Sequence, residues 1–248
     1  MIVLIALSLG AEKLVDLVTG LDPKRLGRAL ESESEAAPVL ASNSSGAIRF
    51  ENVTKSFVNE DGSSNKVLDG FNCEFAPGIT AISAPSGSGK TTIARLIAGF
   101  ESCDEGEIKI EEGTRLSYLF QEDRLLPWLN VRDNMLLALL AGNGSGLSSE
   151  DAAEQMAKKM ELEDALYMMP GELSGGMAHR VALGRTLLYG GNVLILDEPF
   201  RGLDEELRDR IIEDISDDLR PSDLKRTVIL ITHDEELADS LSDRKIKI

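Results

Sequence analysis

Cysteine and histidine are scarce in this chain of 248 residues, which has two of each: Cys73 and Cys103, His179 and His233. The cysteines form no CxxC pair and are too few for a disulfide framework, so a reducing compartment is expected. Two histidines far apart in the sequence also argue against a His-rich metal site. Stability is therefore expected to come from a packed core, for which the chain is long enough.

Basic residues are also few: the chain has 26 Lys and Arg residues and 43 Asp and Glu residues, which gives a formal net charge of -17. A surface that binds nucleic acid needs Lys and Arg to neutralise the phosphates. Nucleic acid is therefore not expected as a partner, and the acidity is interpreted as a contribution to solubility.

No apolar run reaches the roughly 20 residues that span a bilayer. Residues 1–9 are apolar, but Glu12, Lys13 and Asp16 follow closely, and the start has no basic segment of the kind that opens a secretory signal. Any association with a membrane is expected to depend mainly on a partner.

Three regions are distinguished along the chain. Residues 1–33 are predicted to be an apolar to amphipathic helical segment, and residues 34–46 are small, polar and aperiodic, which indicates a linker. The folded domain is expected over residues 47–248. Residues 1–46 are interpreted either as the cytoplasmic end of a membrane helix, fused or mis-assigned, or as an amphipathic helix that binds a membrane surface or a partner.

Strands and helices alternate within the folded domain, which predicts an α/β fold. Two early strands are expected to pair in an antiparallel edge sheet, and the later apolar runs are typical of buried parallel strands. Residues 131–168 carry only helical patterns and indicate an inserted helical subdomain, at about residues 125–180. The predicted strands are Ile48–Val53, Phe71–Phe75, Ile79–Ser83, Leu116–Phe120, Val193–Leu196 and Val228–Ile231.

A glycine-rich segment follows one of these strands and opens a helix, as a phosphate-binding loop does. Its glycines allow backbone N–H groups to surround phosphates, and the helix N-terminus adds positive potential. Lys90 is expected to reach the β- and γ-phosphates of a nucleotide, and the Thr91 hydroxyl to ligate Mg²⁺. The predicted loop consists of Ala84, Pro85, Ser86, Gly87, Ser88, Gly89, Lys90, Thr91 and Thr92.

Two acidic residues end the apolar strand Val193–Leu196. This position is the carboxyl edge of a parallel sheet, where α/β proteins bind ligands. Asp197 is expected to hold Mg²⁺ through water, and Glu198 to orient or deprotonate an attacking water.

A second anion site is predicted at Leu173–Met177, directly before the helical run Ala178–Leu188. Ser174 is expected to cap the helix, with Gly175 and Gly176 exposing their N–H groups to an anion. One domain has no use for two γ-phosphate sites around one nucleotide, whereas a head-to-tail dimer clamps each nucleotide between the loop of one subunit and this segment of the other.

The phosphate loop, the segment Leu173–Met177 and the Asp197–Glu198 pair follow one another along the chain in the order typical of one family. About residues 47–243 resemble the nucleotide-binding subunit of that family, an ATP-binding cassette (ABC) protein. The resemblance implies an ATPase that uses ATP and Mg²⁺, forms a homodimer around the nucleotides and drives an integral membrane permease from the cytoplasmic face. It implies a P-loop NTPase core with a mostly parallel sheet, an antiparallel β subdomain and a helical subdomain. The family's roles would fall on Gln121 (Mg²⁺ or water), Asp204 (communication across the dimer), His233 (γ-phosphate) and Phe57 (adenine stacking).

Phe120–Trp128 and Met177 resemble the importer branch that handles nitrate, sulfonates and taurine, which implies an extracytoplasmic solute-binding protein as a further partner. Trp128 is expected either to offer a docking surface to the permease or to pack within the helical subdomain. His179 stands where such importers often have Gln, and it is interpreted as a solvent-facing residue without a function.

The rival interpretation is a soluble ABC-type ATPase that acts outside transport. Relatives of that kind in chromosome maintenance insert a long coiled coil, whereas 52 residues lie between Gln121 and Ser174. A cassette that binds ATP without turnover is disfavoured by the presence of Lys90, Glu198 and His233.

Overall fold

The computed structural model describes residues 46–59, 62–84, 87–141, 149–221 and 225–248. The predicted N-terminal helix and all but the last residue of the predicted linker lie outside them, as do Pro85 and Ser86 of the predicted loop. Within the described residues the chain forms two units: a core unit of residues 46–122 and 191–248, and a helical unit of residues 123–190.

A five-stranded sheet in the order β5-β6-β7-β3-β8 forms the centre of the core unit, and all its neighbouring strands are parallel. β6 and β7 are buried along their whole length, because their apolar side chains are covered on both faces. The strands are β3 (Gly78–Ser83), β5 (Leu116–Leu119), β6 (Val193–Asp197), β7 (Thr227–Ile231) and β8 (Arg244–Lys247).

Helices of the core unit follow the strands whose carboxyl ends carry the candidate site. α1 (Lys90–Ile97) follows β3, and α7 (Glu235–Leu241) follows β7. Between β6 and β7 lie α5 (Glu205–Asp214) and the short α6 (Ser216–Leu219). The helix N-termini that follow β3 and β7 are thus close in sequence to the candidate loop and to His233.

A three-stranded antiparallel sheet in the order β2-β1-β4 completes the core unit; its strands are β1 (Ile48–Val58), β2 (Ser64–Phe75) and β4 (Glu105–Ile110). The Phe50 ring makes edge contacts with the Phe71 and Phe75 rings, at centroid distances of 5.6 and 6.0 Å. β4 and β8 were not predicted from the sequence, because no residue of either strand is fully buried and neither carries an apolar signal.

The helical unit contains α2 (Val131–Ala141), α3 (Ser149–Lys159) and α4 (Gly175–Tyr189), with single turns of 3₁₀-helix at Glu163–Ala165 and Pro170–Glu172. Its core is built from side chains of all three helices and of the segment that joins α3 to α4. Fully buried members are Met135, Ala138, Ala153, Met160 and Leu183. No helix among the described residues is both long and apolar enough to cross a membrane.

Two glycines with nearly equal φ angles allow a test of the close approach between β4 and β1 in the antiparallel sheet. Gly62 (φ +81°) has open space where a Cβ would lie, whereas a Cβ on Gly106 (φ +82°) would lie 2.3 Å from the Asn52 carbonyl oxygen. Both alanine variants incur the same left-handed strain, but only Gly106→Ala also forces β4 away from β1.

We expect Gly106→Ala to lower the free energy of unfolding by roughly 2–3 kcal/mol more than Gly62→Ala, since overpacking costs about that much. Chemical denaturation of both variants measures the difference. Equal losses would contradict the close approach at Asn52.

Candidate active site

The predicted phosphate loop connects β3 to α1, and its last glycine is the N-cap of the helix. Gly89 has φ +101°, and a Cβ there would lie 2.6 Å from Val67 Cγ1, so the position requires glycine. The Lys90 ammonium donates to the Ala84 carbonyl oxygen at 2.5 Å, which bends this side chain back across the loop. The buried Ser88 hydroxyl has no hydrogen-bond partner among the described residues.

A cavity of about 330 Å³ opens at this loop. Its volume suits a small molecule, and the N-terminus of α1 presents N–H groups without intrahelical partners, which favour an anion. Of the lining residues, only Val67 was not singled out from the sequence, since nothing in its own position on β2 signals a ligand. The lining consists of Phe57, Val67, Gly87, Gly89, Lys90, Thr91, Thr92, Gln121, Asp197 and Glu198.

Phe57 lies near the end of β1 and is partly buried. The Lys55 ammonium lies over its ring, 5.1 Å from the centroid, and is held near Glu101 and Asp104. Phe57 therefore lines the cavity and also has a cation over its ring.

Thr91 and Asp197 form a hydrogen-bonded pair in the lining of the cavity. The Thr91 hydroxyl donates to Asp197 Oδ2 at 3.2 Å. Burial raises the pKa of Asp197 to about 6, and the neighbouring Glu198 charge acts in the same direction. A hydroxyl and a carboxylate are ligands that Mg²⁺ accepts, and a dication there would relieve the cost of the buried charge.

Among the described residues, no three His, Cys, Asp or Glu side chains form a metal cluster. A metal at Thr91 and Asp197 would therefore need further oxygen ligands from a bound nucleotide or water, which is the usual arrangement for Mg²⁺ with phosphates. The residues present fit such an ion.

Glu198 and His233 form the second pair of the site. His233 Nδ1 lies 2.8 Å from Glu198 Oε1, and the Thr232 hydroxyl donates to Glu198 Oε2 at 3.4 Å. The hydrogen bond and charge of Glu198 raise the pKa of His233. Thr232 was missed from the sequence, although its place between β7 and His233 could have indicated it.

The backbone of Glu198 is left-handed, with φ +53°. Its N–H donates to the Ile231 carbonyl oxygen at 2.8 Å, a bond that belongs to the last pair of the parallel ladder, Asp197 with Ile231. A non-glycine residue in this region costs of order 1–3 kcal/mol and is often found at functional sites. The turn separates the two acids, so that Asp197 faces Thr91 and Glu198 faces His233.

His233 and Asp204 do not line the loop cavity. His233 lines a neighbouring cavity of about 320 Å³ with Glu198, Gly202 and Leu203. Asp204 is the N-cap of α5 and accepts from the Leu207 N–H at 2.9 Å.

Ser174 is the N-cap of α4, as expected, and its hydroxyl accepts from the Met177 N–H at 3.2 Å. Ser174 and Gly175 are exposed, and Gly176 is partly exposed. The start of α4 therefore offers free space around a helix N-terminus within the helical unit.

The interpretation of His179 as a solvent-facing residue is wrong. Its side chain is 2% exposed, and Nδ1 lies 2.7 Å from Asp123 Oδ1. The helical spacing from Ser174 did not reveal this, because the segment that covers His179 comes from residues 56 positions earlier in the chain.

A loop between a buried parallel strand and a helix, a lysine folded over that loop, and a threonine paired with a strand-end aspartate define a phosphate-loop nucleoside triphosphatase. The chain matches the ABC transporter family over residues 68–201. This stretch contains the loop, Gln121, Ser174, Asp197 and Glu198. The chain therefore belongs to the ABC transporter family, and within it is an ATP-binding subunit that hydrolyses ATP.

The chain is 37% identical over 199 residues to an aliphatic sulfonates import ATP-binding protein of Pseudomonas fluorescens, covering 80% of this chain and 71% of that protein. It is 38% identical over 177 residues to the thiamine import ATP-binding protein of Salmonella choleraesuis, covering 68% and 74%. It is also similar to the ATP-binding cassette MJ0796, solved as a post-hydrolysis dimer bound to ADP and Pi, with a TM-score of 0.71 and 27% identity over 81% of this chain and 94% of that one. The α/β fold expected from the resemblance is confirmed.

Glu198→Gln should lower the pKa of His233, because the substitution removes the carboxylate that favours the imidazolium. The contact contributes its full stabilisation at pH values below the pKa of His233 in the unfolded chain, about 6.5. This contribution is lost as the pH rises through the higher pKa of His233 in the folded chain. Since the His233 side chain is 76% exposed, the effect on stability is small and the titration is the better readout.

An NMR titration of the nucleotide-free chain measures this shift, with His233→Gln identifying the signal among the two imidazoles. His179 serves as the internal control, since its partner is Asp123 rather than Glu198. An unchanged pKa of His233 in Glu198→Gln would contradict the pairing.

Proposed function

We propose that this chain is the ATP-hydrolysing subunit of an importer of a small solute of the nitrate, sulfonate and taurine type. The observation that carries the proposal is the meeting of three groups at one cavity: Lys90, the Thr91–Asp197 pair and Glu198, whose partner His233 lines the neighbouring cavity. These are the parts that phosphoryl transfer to water requires.

The roles of the site residues follow from their positions. Lys90 and the start of α1 bind the phosphates, with the loop backbone around them, and Phe57 stacks on the adenine. Thr91, Asp197 and Gln121 hold Mg²⁺, either directly or through water. Mg²⁺, when bound, neutralises charge on the phosphate oxygens.

Glu198 accepts the proton of the attacking water. Thr232 and His233 contact its two carboxylate oxygens, so the carboxylate is held in one orientation. His233 is more readily protonated because of Glu198, and its position next to that residue lets it stabilise charge on the transferred phosphoryl group.

The start of α4 completes the site from a second copy of the chain. Ser174, Gly175 and Gly176 have accessible N–H groups and a helix dipole that suit the γ-phosphate of a nucleotide bound by the partner subunit. The similarity to a cassette solved as a dimer supports this assembly. Asp204, at the N-terminus of α5, is proposed to communicate between the subunits.

A permease is proposed to dock on the helical unit. Three large apolar side chains are exposed there, namely Trp128 (41%), Tyr167 (72%) and Met169 (37%). They lie on two segments that are linked by bonds from the Val131 and Arg132 N–H groups to the Met168 and Leu166 carbonyl oxygens. An exposed apolar surface of this kind favours a protein partner.

The docking surface is held rigidly by Asn134, which is fully buried. Its side-chain amide accepts from the Leu126 N–H at 2.9 Å and donates to the Leu126, Leu129 and Asn130 carbonyl oxygens. This arrangement fixes the segment that presents Trp128. The subunit would thus work peripherally at the cytoplasmic face, with a solute-binding protein on the other side of the membrane.

Glu198→Gln should retain ATP binding and trap the closed dimer, because the amide cannot accept the proton of the attacking water. We expect turnover to fall at least ~100-fold, the scale on which general bases act. ATPase assays and size-exclusion chromatography with Mg²⁺ and ATP measure both effects. The control Glu213→Gln removes an equal charge from an exposed position; normal turnover in Glu198→Gln would refute the role of Glu198.

Ser174→Arg should abolish turnover, since a bulky cation at the start of α4 blocks the second half of a shared site, while nucleotide affinity of the monomer stays nearly unchanged. Equilibrium binding of ATP at low protein concentration separates the two effects. Gln155→Arg, at an exposed position of α3, is the matched control. Loss of monomer binding would instead assign Ser174 to the site of its own subunit.

A further inference from the structure

Four residues of the helical unit form a hydrogen-bonded arrangement that the proposed chemistry does not use: the buried His179 and Arg185, the partly buried Asp123 and the exposed Arg124. We refer to them as the turn clamp. Asp123 and Arg124 lie on the segment that directly follows Gln121 in the chain, and His179 and Arg185 lie on α4. The turn clamp therefore joins that segment to the helix whose N-cap is Ser174.

Arg124 shows that the segment is held in an unfavourable conformation. Its φ is +46°, in the left-handed region, which a non-glycine residue adopts only when its surroundings enforce it. Arg185 supplies this constraint, because its guanidinium donates to the Arg124 carbonyl oxygen at 3.0 Å and to the Asp123 carbonyl oxygen at 3.1 Å. The two bonds hold the carbonyl groups on both sides of the Arg124 Cα.

The charges within the clamp depend on Asp123. Burial lowers the pKa of Arg185 to about 10, and the Asp123 carboxylate opposes that shift, so the guanidinium remains charged at neutral pH. The same carboxylate contacts His179 Nδ1 at 2.7 Å, and because a carboxylate only accepts hydrogen bonds, Nδ1 carries the proton. Asp123 thus serves a buried cation and a buried imidazole at once.

We propose that the turn clamp positions Gln121: His179 and Arg185 hold residues 123 and 124 on α4 and thereby fix the chain two residues after Gln121. His179 and Arg185 are positioning residues in this proposal, and they contact neither nucleotide nor metal. The inference rests on the proposed role of Gln121 at Mg²⁺.

Two features make this more than ordinary packing. A hydrophobic side chain at position 179 would fill the same buried space without an aspartate partner, yet the chain carries a His–Asp pair. The strained turn, moreover, lies three residues after Gln121 rather than at a distant part of the unit. Side chains that orient ligand-bearing groups usually show this combination of burial and defined hydrogen bonding.

The test uses three variants of the full chain: His179→Leu, which removes the donor; Asp123→Asn, which removes the charge; and His179→Gln, whose side-chain amide can still donate to Asp123. We expect the Mg²⁺ concentration for half-maximal ATPase to rise ~10-fold in the first two, a loss typical of residues that orient ligands. His179→Gln should restore the normal value. ATP affinity in EDTA should not change.

A double-mutant comparison tests whether His179 affects the Mg²⁺ dependence through Gln121. In a Gln121→Ala background, His179→Leu should cause no further change in the Mg²⁺ dependence, since the group it positions is already absent. An equal additional loss in that background would overturn the inference. Leu162→Ala, a buried substitution elsewhere in the helical unit, controls for stability alone.

If His179→Leu and Leu162→Ala lower the melting temperature alike and neither alters the Mg²⁺ dependence, the turn clamp is only structural and the inference fails. Unmodified protein without Mg²⁺-dependent ATPase activity would instead refute the proposed function. The two failures are distinguishable, because the first requires an active parent protein and the second an inactive one.

Discussion

The pairing of β6 with β7 at the carboxyl end of β6 is the constraint on which the site depends. The Asp197 position pairs with Ile231, and the next N–H, that of Glu198, still bonds to the Ile231 carbonyl oxygen. Directly after that bond, Glu198 adopts a left-handed backbone conformation, which turns the chain out of the strand. The two adjacent acids have different partners: Thr91 for Asp197, and His233 for Glu198.

Burial then gives the two acids different chemistry. Asp197 is 3% exposed and has its pKa raised to about 6. It is therefore costly to ionise without a cation, and Thr91 supplies only one neutral hydrogen bond. Glu198 is more accessible, with a side chain 16% exposed, and its hydrogen-bond partner is the largely exposed His233. One acid is thereby suited to holding a metal and the other to exchanging a proton.

The segment from Gln121 to Asn130 carries both a residue of the loop cavity and a residue of the proposed permease contact. It begins at the loop cavity with Gln121, continues through the strained turn at Arg124 and carries Trp128 at its surface. Arg185 and Asn134 each hold it through bonds to backbone oxygens, and the Asp123 side chain adds a contact with His179.

Much of the candidate site was readable from the sequence, because its residues are contiguous or follow strands: the loop from Gly87 to Thr92, the Asp197–Glu198 pair and Ser174 as a helix cap. The apolar runs likewise predicted four of the five parallel strands. β4 and β8 were not predicted, since exposed edge strands carry no buried pattern.

The tertiary structure alone decided which groups meet across the chain. His179 was expected to face solvent, but a segment 56 positions earlier covers it and supplies Asp123. Val67 reaches the loop cavity only because β2 passes beside Gly89. The sequence thus determined the local chemistry, which depends on residue type and short-range periodicity. The burial and partners of those residues depend on contacts between distant segments, and no local pattern records them.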